Sequence, residues 1–157
     1  MDNQCRNIFN ALDNSALVSV TDIKGIINFV NPKFCEISGY SADELIGRNH
    51  RILKSGLHRH DFYDNMWRTI SGGKVWEGSI WNRAKNGSFY CVQTTITPMR
   101  DENCNIEEYI SIRHDITFQK NQENLLKEAL DNLKIQDPDR TKKLVSKLEN
   151  IRNKYKD

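Results

Sequence analysis

The stretch that decides the fold is NPKFCEISGYSADELIGRN, residues 31–49. Asn31 can cap a helix through its side chain, and Pro32 suits the first helical position. Further on, Ser41 opens a Ser-x-x-Glu pattern, which is typical of a capping box at a second helix start. Glycine ends both helices within a few residues, at Gly39 and Gly47. The stretch therefore predicts two very short helices.

Strand-like segments flank these helices on both sides. Upstream, residues 16–21 and 26–30 predict a hairpin whose turn contains Gly25. Downstream, residues 61–70 predict a longer helix that ends at a Gly-Gly pair. Three further strands, joined by an Asn-Gly turn and a second polar turn, are predicted at residues 75–83, 89–97 and 106–117.

This order of elements predicts an α+β fold, because the helices are segregated from an antiparallel sheet. Such helices can cover only one face of the sheet. The space between the helices and that face is the natural site for a ligand.

Two helical appendages are predicted around the mixed region of residues 16–117. Residues 1–15 predict a short N-terminal helix, and residues 118–157 predict a polar helical tail in which Asp137-Pro138 starts a new helix. The tail carries one apolar stripe, which requires a coiled-coil partner or the sheet to cover it. The stripe consists of Leu125, Leu126, Ala129, Leu130, Leu133, Leu144, Val145, Leu148, Ile151 and Tyr155.

Composition excludes several classes of protein. The chain has 157 residues, of which 38% are hydrophobic and 28% charged, and its net charge of +2 is too small to argue for nucleic acid. The apolar runs are too short for a membrane span, and the N-terminus lacks a secretory signal, so we expect a cytoplasmic location. The four cysteines form no C-x-x-C pair, and no phosphate loop or nucleophile–base pair indicates an enzyme.

The motifs together resemble the PAS domain family over roughly residues 10–118. The residues that carry the resemblance are Asn31-Pro32-x-Phe34, Gly39-Tyr40, Glu44-Leu45-Ile46-Gly47-Arg48-Asn49, Trp76-x-Gly78, Asn82-Arg83, Pro98 and Tyr109-Ile110-x-Ile112 with Asp115-Ile116-Thr117. The resemblance implies a five-stranded antiparallel sheet that holds a ligand against small helices on one face.

Within that family, the chain resembles the flavin-binding modules of bacterial aerotaxis receptors and of redox regulators of nitrogen fixation and methane oxidation. The shared residues are Asn49-His50, Trp67, Trp76-x-Gly78, Asn82-Arg83 and Ile112-Arg113. The resemblance implies FAD as the cofactor, with FMN as the alternative.

Residues 47–53 also resemble light-oxygen-voltage photoreceptor modules, but one departure is decisive. The photoreactive cysteine of that motif falls on His50, and an imidazole cannot replace the sulfur nucleophile of a thioether adduct. The second amide of the photoreceptor pattern falls on Val92, and its glutamine falls on Arg113. We therefore do not expect light sensing through a cysteine adduct.

A flavin ring requires apolar walls and a few amide groups at its polar edge. Asn82 shares a strand face with Trp76, Gly78 and Ile80, and Asn49 and Asn31 can supply further amides. Arg113 at the polar edge would favour a reduced, anionic flavin. The predicted site comprises Asn31, Phe34, Asn49, His50, Leu53, Trp67, Trp76, Ile80, Asn82, Ser111 and Arg113.

Each of these residues also has a purely structural interpretation. Asn31 can act only as a helix cap, and both Trp67 and Trp76 can serve only as core residues. Arg113 can form a salt bridge with Glu77 or Glu108.

Haem is a further candidate ligand, because His58 and His60 flank the start of the longer helix.

The functional prediction is a non-enzymatic input module that senses redox state or oxygen. Its tail would relay the signal to a kinase, a chemotaxis protein or a regulatory partner, or to a fused output domain beyond Asp157. We expect a homodimer formed through the N-terminal helix and the tail. The alternatives are a ligand-free dimerisation scaffold and a haem-binding gas sensor, and cofactor content separates the three.

Overall fold

A computed structural model describes residues 3–154 of the chain. The elements are α1 (Asn3–Ser15), β1 (Leu17–Asp22), β2 (Ile27–Val30), α2 (Pro32–Ser38), α3 (Ala42–Leu45), a 3-10 helix (His50–Leu53), α4 (His60–Ser71), β3 (Trp76–Arg83), β4 (Phe89–Arg100), β5 (Ile106–Asp115), α5 (Thr117–Gln136) and α6 (Pro138–Lys154). They fall into two units, Met1–Thr117 and Phe118–Asp157.

The five strands form one antiparallel sheet in the order β2-β1-β5-β4-β3. This arrangement confirms the predicted α+β fold. One row of paired residues crosses four strands, from Trp76 through Ile96 and Ser111 to Ser19. Since paired residues point to the same face, this row brings side chains that are far apart in sequence onto one side of the sheet.

The short helices begin as the sequence predicts. The Asn31 side chain accepts a hydrogen bond from the Phe34 amide, and Gly39 ends α2 in the left-handed conformation with a φ of 71°. A reciprocal capping box joins Ser41 and Glu44 at the start of α3. The two helices are only seven and four residues long.

Two strand boundaries differ from the prediction by more than one residue. Strand β4 continues to Arg100, whereas β5 ends at Asp115, two residues before the predicted end. The reason lies in Asp115, whose carboxylate accepts the Thr117 amide and starts α5. Thr117 also accepts a hydrogen bond from the Cys91 amide at 2.9 Å, which fastens the start of α5 to β4.

The C-terminal unit consists of α5 and α6, and α6 begins at Pro138 as predicted. The described apolar side chains of its stripe include exposed leucines, among them Leu125, Leu126, Leu133, Leu144 and Leu148. The predicted stripe members Ile151 and Tyr155 lie outside the described side chains. Among the residues described, no helix has the length and apolar character needed to cross a membrane.

Candidate functional site

A cavity of about 480 Å³ lies between the sheet and the helices of the N-terminal unit. Strands β1, β3, β4 and β5 form its floor, while the 3-10 helix, α4 and the β1–β2 turn form its walls and mouth. A ligand-sized space therefore lies between the sheet and the helical layer.

Arg113 is the charged group at the floor of this cavity, and only 4% of its surface is exposed. Its Nη1 donates to Ser19 Oγ at 2.9 Å, and its Nη2 donates to His50 Nε2 at 3.0 Å. Its Nε group has no partner within the described residues. Burial lowers the pKa of Arg113 to about 10, so the side chain remains a cation at neutral pH.

The salt bridge between Arg113 and Glu77 or Glu108 that the sequence allowed is absent from the described ion pairs. Glu108 lies on the opposite face of β5 from Arg113 and accepts a hydrogen bond from the Asn28 amide. Glu77 is exposed on β3. The buried guanidinium therefore has neutral partners.

His50 is one of those neutral partners. Burial and the neighbouring Arg113 charge lower the pKa of His50 to about 3. Because a guanidinium can only donate, His50 Nε2 must accept, and the ring proton lies on Nδ1. The Phe34 ring contacts His50 edge-on, with centroids 5.8 Å apart, and packs beneath the Arg113 guanidinium.

Three more polar side chains face the cavity with hydrogen-bonding capacity left over. Asn82 is 6% exposed, and its side-chain amide faces the cavity without a hydrogen bond to another described side chain or backbone group. The hydroxyl groups of Ser111 and Tyr63 are buried without a partner in the same part of the chain. Buried polar groups normally have partners, so this concentration indicates a polar ligand.

Apolar side chains line both the α4 wall and part of the sheet floor. Met66, Trp67 and Ile70 project from α4, and Ile80 and Ile96 rise from the sheet. Trp67 meets Tyr109 edge to face, with ring centroids 5.9 Å apart. The cavity thus combines an apolar wall with a polar corner.

Seven predicted site residues line this cavity, and four do not. The seven are Asn49, His50, Trp67, Ile80, Asn82, Ser111 and Arg113. Asn31, Phe34, Leu53 and Trp76 are the other four, and each is buried outside the lining.

The placement of Asn31 as a ligand amide needs correction. Its Oδ1 accepts from the amides of Val18 and Phe34, and its Nδ2 donates to the Ala16 carbonyl. This set of bonds occupies both ends of the amide, so Asn31 joins β1 to α2 instead of facing a ligand.

Trp76, Phe34 and Leu53 belong to the hydrophobic core. The Trp76 indole packs edge-on against Phe62 and donates from Nε1 to Asn65 Oδ1. It also covers Gly78, where an added Cβ would lie 2.6 Å from the ring. The space above Gly78 is therefore filled by the Trp76 ring.

Asn49 lines the cavity, but both polar atoms of its side-chain amide already form hydrogen bonds within the protein. Nδ2 donates to the Lys24 carbonyl, and Oδ1 accepts from the Arg51 backbone and side chain. Asn49 thus caps the 3-10 helix and ties it to the β1–β2 turn, a role that the sequence analysis did not anticipate.

The histidines do not favour haem. His58 Nε2 accepts the Trp81 backbone amide at 2.8 Å, and His60 at the cavity mouth contacts Asp64 at 2.7 Å. The Nε2 atom of His50 is held by Arg113. No cluster of three or more metal-ligating side chains occurs among the residues searched, which are the described ones.

Sequence reasoning missed Ser19 and Tyr63. Ser19 pairs with Ser111 in the strand register, and this cross-strand pairing brings it to Arg113. Tyr63 lies on α4 beneath Lys54, whose ammonium is 4.6 Å from the ring centroid. The register of β1 against β5 is the signal for Ser19, but a single sequence does not supply it.

Two curated bacterial proteins are similar to this chain. The nitrogen fixation regulatory protein of Klebsiella pneumoniae is 34% identical over 103 residues, which are 66% of this chain and 21% of that protein. The aerotaxis receptor of Escherichia coli strain K12 is 36% identical over 101 residues, 64% of this chain and 20% of the receptor. This chain therefore spans about a fifth of the length of these relatives.

Solved structures share the fold. An RNA-binding light-oxygen-voltage receptor superposes with a TM-score of 0.70 at 21% identity, over 80% of this chain and 36% of that one. A PAS domain from Colwellia psychrerythraea superposes with a TM-score of 0.62 at 25% identity, over 73% of this chain and 98% of that one. A model of the PAS domain family matches residues 13–118, more than half of the sequence, and this chain therefore belongs to the PAS domain family.

Proposed function

We propose that this PAS domain binds a flavin, most simply FAD, and reports redox state or oxygen to a signalling partner. The observation that carries the proposal is the cavity itself, in which an apolar wall faces a corner with unsatisfied polar groups. A flavin ring has the same division, with an apolar plate and one polar edge.

The residues present fit such a ring. Ile80 and Trp67 would contact its faces, and the unpaired Asn82 amide can both donate and accept at its polar edge. The Tyr63 hydroxyl, which is buried without a partner among the described residues, would provide a further hydrogen-bonding group. When bound, a flavin would supply reversible electron transfer, which no side chain in the cavity provides.

Cations at the mouth support a phosphorylated flavin. Lys24, Arg51 and Lys54 line the cavity opening, where a phosphate group on the flavin tail would meet them. This charge is consistent with either FAD or FMN, and chemical identification of the released cofactor separates the two.

The signal would start from Arg113. Extra negative charge on a reduced flavin would strengthen its attraction to the buried guanidinium and alter the bonds to Ser19 and His50. Strand β5 carries Arg113 and leads directly to Thr117, the first residue of α5. A change of a few kcal/mol is enough to shift a two-state element.

The output side of the proposal extends the sequence prediction. The tail would pair two copies of the chain and pass the change to a kinase, a chemotaxis protein, a regulatory partner or a fused output domain. A non-enzymatic role and a cytoplasmic location belong to the same proposal. The ligand-free scaffold remains the alternative, and the unpartnered Ser111 and Arg113 groups argue against it.

The test is a visible absorption spectrum of the protein as purified from cells, without reconstitution. We expect flavin bands that bleach with dithionite, and chromatography of the released cofactor identifies FAD or FMN. A colourless protein that fails to take up either flavin would contradict the proposal, whereas a single sharp Soret band would indicate haem.

Variants on strand β3 then test the assignment of the cavity. We expect Asn82→Ala to release flavin at least tenfold more readily with little loss of stability. Ser79→Ala is the matched control, because Ser79 lies on the opposite face and bonds to Gln93. Trp76→Ala should instead destabilise the whole fold by about 3–5 kcal/mol. Equal flavin retention in the Asn82→Ala variant and the control would refute the assignment.

A further inference from the structure

Arg113 poses a charge problem that a neutral flavin does not solve. The side chain is 4% exposed and charged, yet its protein partners, Ser19 and His50, are neutral. Tyr90, whose charge would also act on Arg113, is neutral at physiological pH because burial raises its pKa to about 12. A buried charge without a counter-charge is strongly unfavourable.

Two hydrogen-bond donors in the cavity have no partner within the protein, and their arrangement suits a ligand with two oxygen atoms. Arg113 Nε and Ser111 Oγ are both buried and unpartnered within the described residues. Because these residues are two positions apart on β5, both side chains project from the same face, and both line the cavity. A carboxylate presents two oxygens on one charged group and is a preferred partner of a guanidinium.

The electrostatics of the cavity favour entry of an anion. Lys24, Arg51 and Lys54 line its mouth. Asp64 is the sole acidic side chain among the described lining residues, and it is bonded to His60 at the mouth. A small anion would therefore meet positive charge at the mouth and again at Arg113.

We propose that Arg113 and Ser111 form a subsite for a small carboxylate, of the formate or acetate class, at the floor of the cavity. The carboxylate occupies the subsite while the flavin is neutral, and it competes with the negative charge that reduction places on the flavin. The redox potential of the sensor thereby depends on the carboxylate concentration. This coupling rests on the proposed function, whereas the anion subsite itself does not.

Linkage fixes the direction of the effect. A carboxylate that binds the oxidised form better than the reduced form must be displaced on reduction, so it lowers the midpoint potential. Each tenfold rise in acetate above its dissociation constant should lower a two-electron potential by about 30 mV, which is a tenfold change in the equilibrium constant.

The first measurement is the melting temperature of the full chain in increasing sodium acetate, with ionic strength held constant by a bulky organic sulfonate. Ligand that binds only the folded chain raises the melting temperature by mass action. We expect a saturable rise in wild type, no rise in Arg113→Gln and an affinity about tenfold weaker in Ser111→Ala. Arg83→Gln is the control, because it removes the same charge from an exposed position on β3.

The second measurement is the midpoint potential of the flavin-loaded protein in the same acetate series. A fall in potential in wild type and Arg83→Gln, with a smaller fall in Ser111→Ala, is the expected result. If the loaded protein shows neither a thermal nor a potential response, the subsite is refuted while the flavin proposal stands. If the protein binds no flavin but acetate still stabilises it through Arg113, the flavin proposal fails and the subsite stands.

Discussion

At the scale of single residues, the interior of this domain depends on a hydrogen bond between a cation and a neutral imidazole. Arg113 Nη2 donates to His50 Nε2, and Phe34 shields the pair from one side. His50 stands where the photoreceptor pattern has its reactive cysteine. In this chain the position therefore orients a charged side chain and does not supply a nucleophile.

The buried His50 makes stability depend on pH. In the unfolded chain a histidine takes up a proton near pH 6.5, whereas burial lowers the pKa of folded His50 to about 3. Between these values the unfolded chain binds more protons, so stability falls as the pH falls. His50→Gln retains an acceptor for Arg113 but removes this proton linkage.

We therefore expect wild type to lose about 2 kcal/mol more stability than His50→Gln between pH 7.5 and pH 5. Urea unfolding at several pH values measures the difference. His60→Gln is the control, because His60 is exposed at the cavity mouth. Parallel curves for wild type and His50→Gln would mean that His50 is readily protonated in the folded domain.

At the scale of elements, strand β3 is joined to α4 through the Trp76 side chain. Gly78 has no Cβ, and the Trp76 ring lies over it while Nε1 donates to Asn65 on α4. The close approach thereby locks the edge strand to the helix that forms the cavity wall.

Gly78→Ala tests this contact. The added Cβ would lie 2.6 Å from Trp76 Cη2, so we expect a loss of about 1–3 kcal/mol in the free energy of unfolding. In a Trp76→Phe background the smaller ring leaves room, and the loss should largely disappear. A double-mutant cycle by urea unfolding gives the coupling, and an equal loss in both backgrounds would contradict the contact.

The same elements mark the limit of prediction from sequence. Caps and turns are local, so Asn31, Ser41 and Gly39 could be interpreted from their neighbours alone, and the predicted helix starts are confirmed. The bond between Arg113 and Ser19 joins residues 94 positions apart and depends on strand register. Likewise, alternation along β3 places Trp76 and Gly78 on one face, but the position of the indole over Gly78 depends on packing against Phe62.

At the scale of the whole molecule, the tail connects the domain to its surroundings. Leu126, Leu130 and Leu133 recur at spacings of four and three on α5, which is the seam pattern of a coiled coil. Leu126 and Leu133 are exposed in the single chain. A second copy of the chain is the partner that we propose for this seam.

A charge on the seam should therefore separate the two copies without disturbing the sensor unit. Burying an unpaired carboxylate at a helix–helix seam is unfavourable by several kcal/mol. We expect Leu126→Glu to shift the full chain from dimer to monomer in light scattering at micromolar concentration. Asn132→Glu, at an exposed polar position of the same helix, is the matched control and should remain dimeric.

The flavin content of both variants adds a second readout. If the tail only joins copies, the monomeric Leu126→Glu variant should keep the cofactor level of wild type, because the cavity lies wholly within the N-terminal unit. A variant that stays dimeric would instead assign the pairing to α1 or to the sheet. Helix α5 begins at Thr117, which is hydrogen-bonded to strand β4 of the sensor sheet. Loss of pairing with an intact cavity would therefore leave a sensor that binds its cofactor but is disconnected from its output.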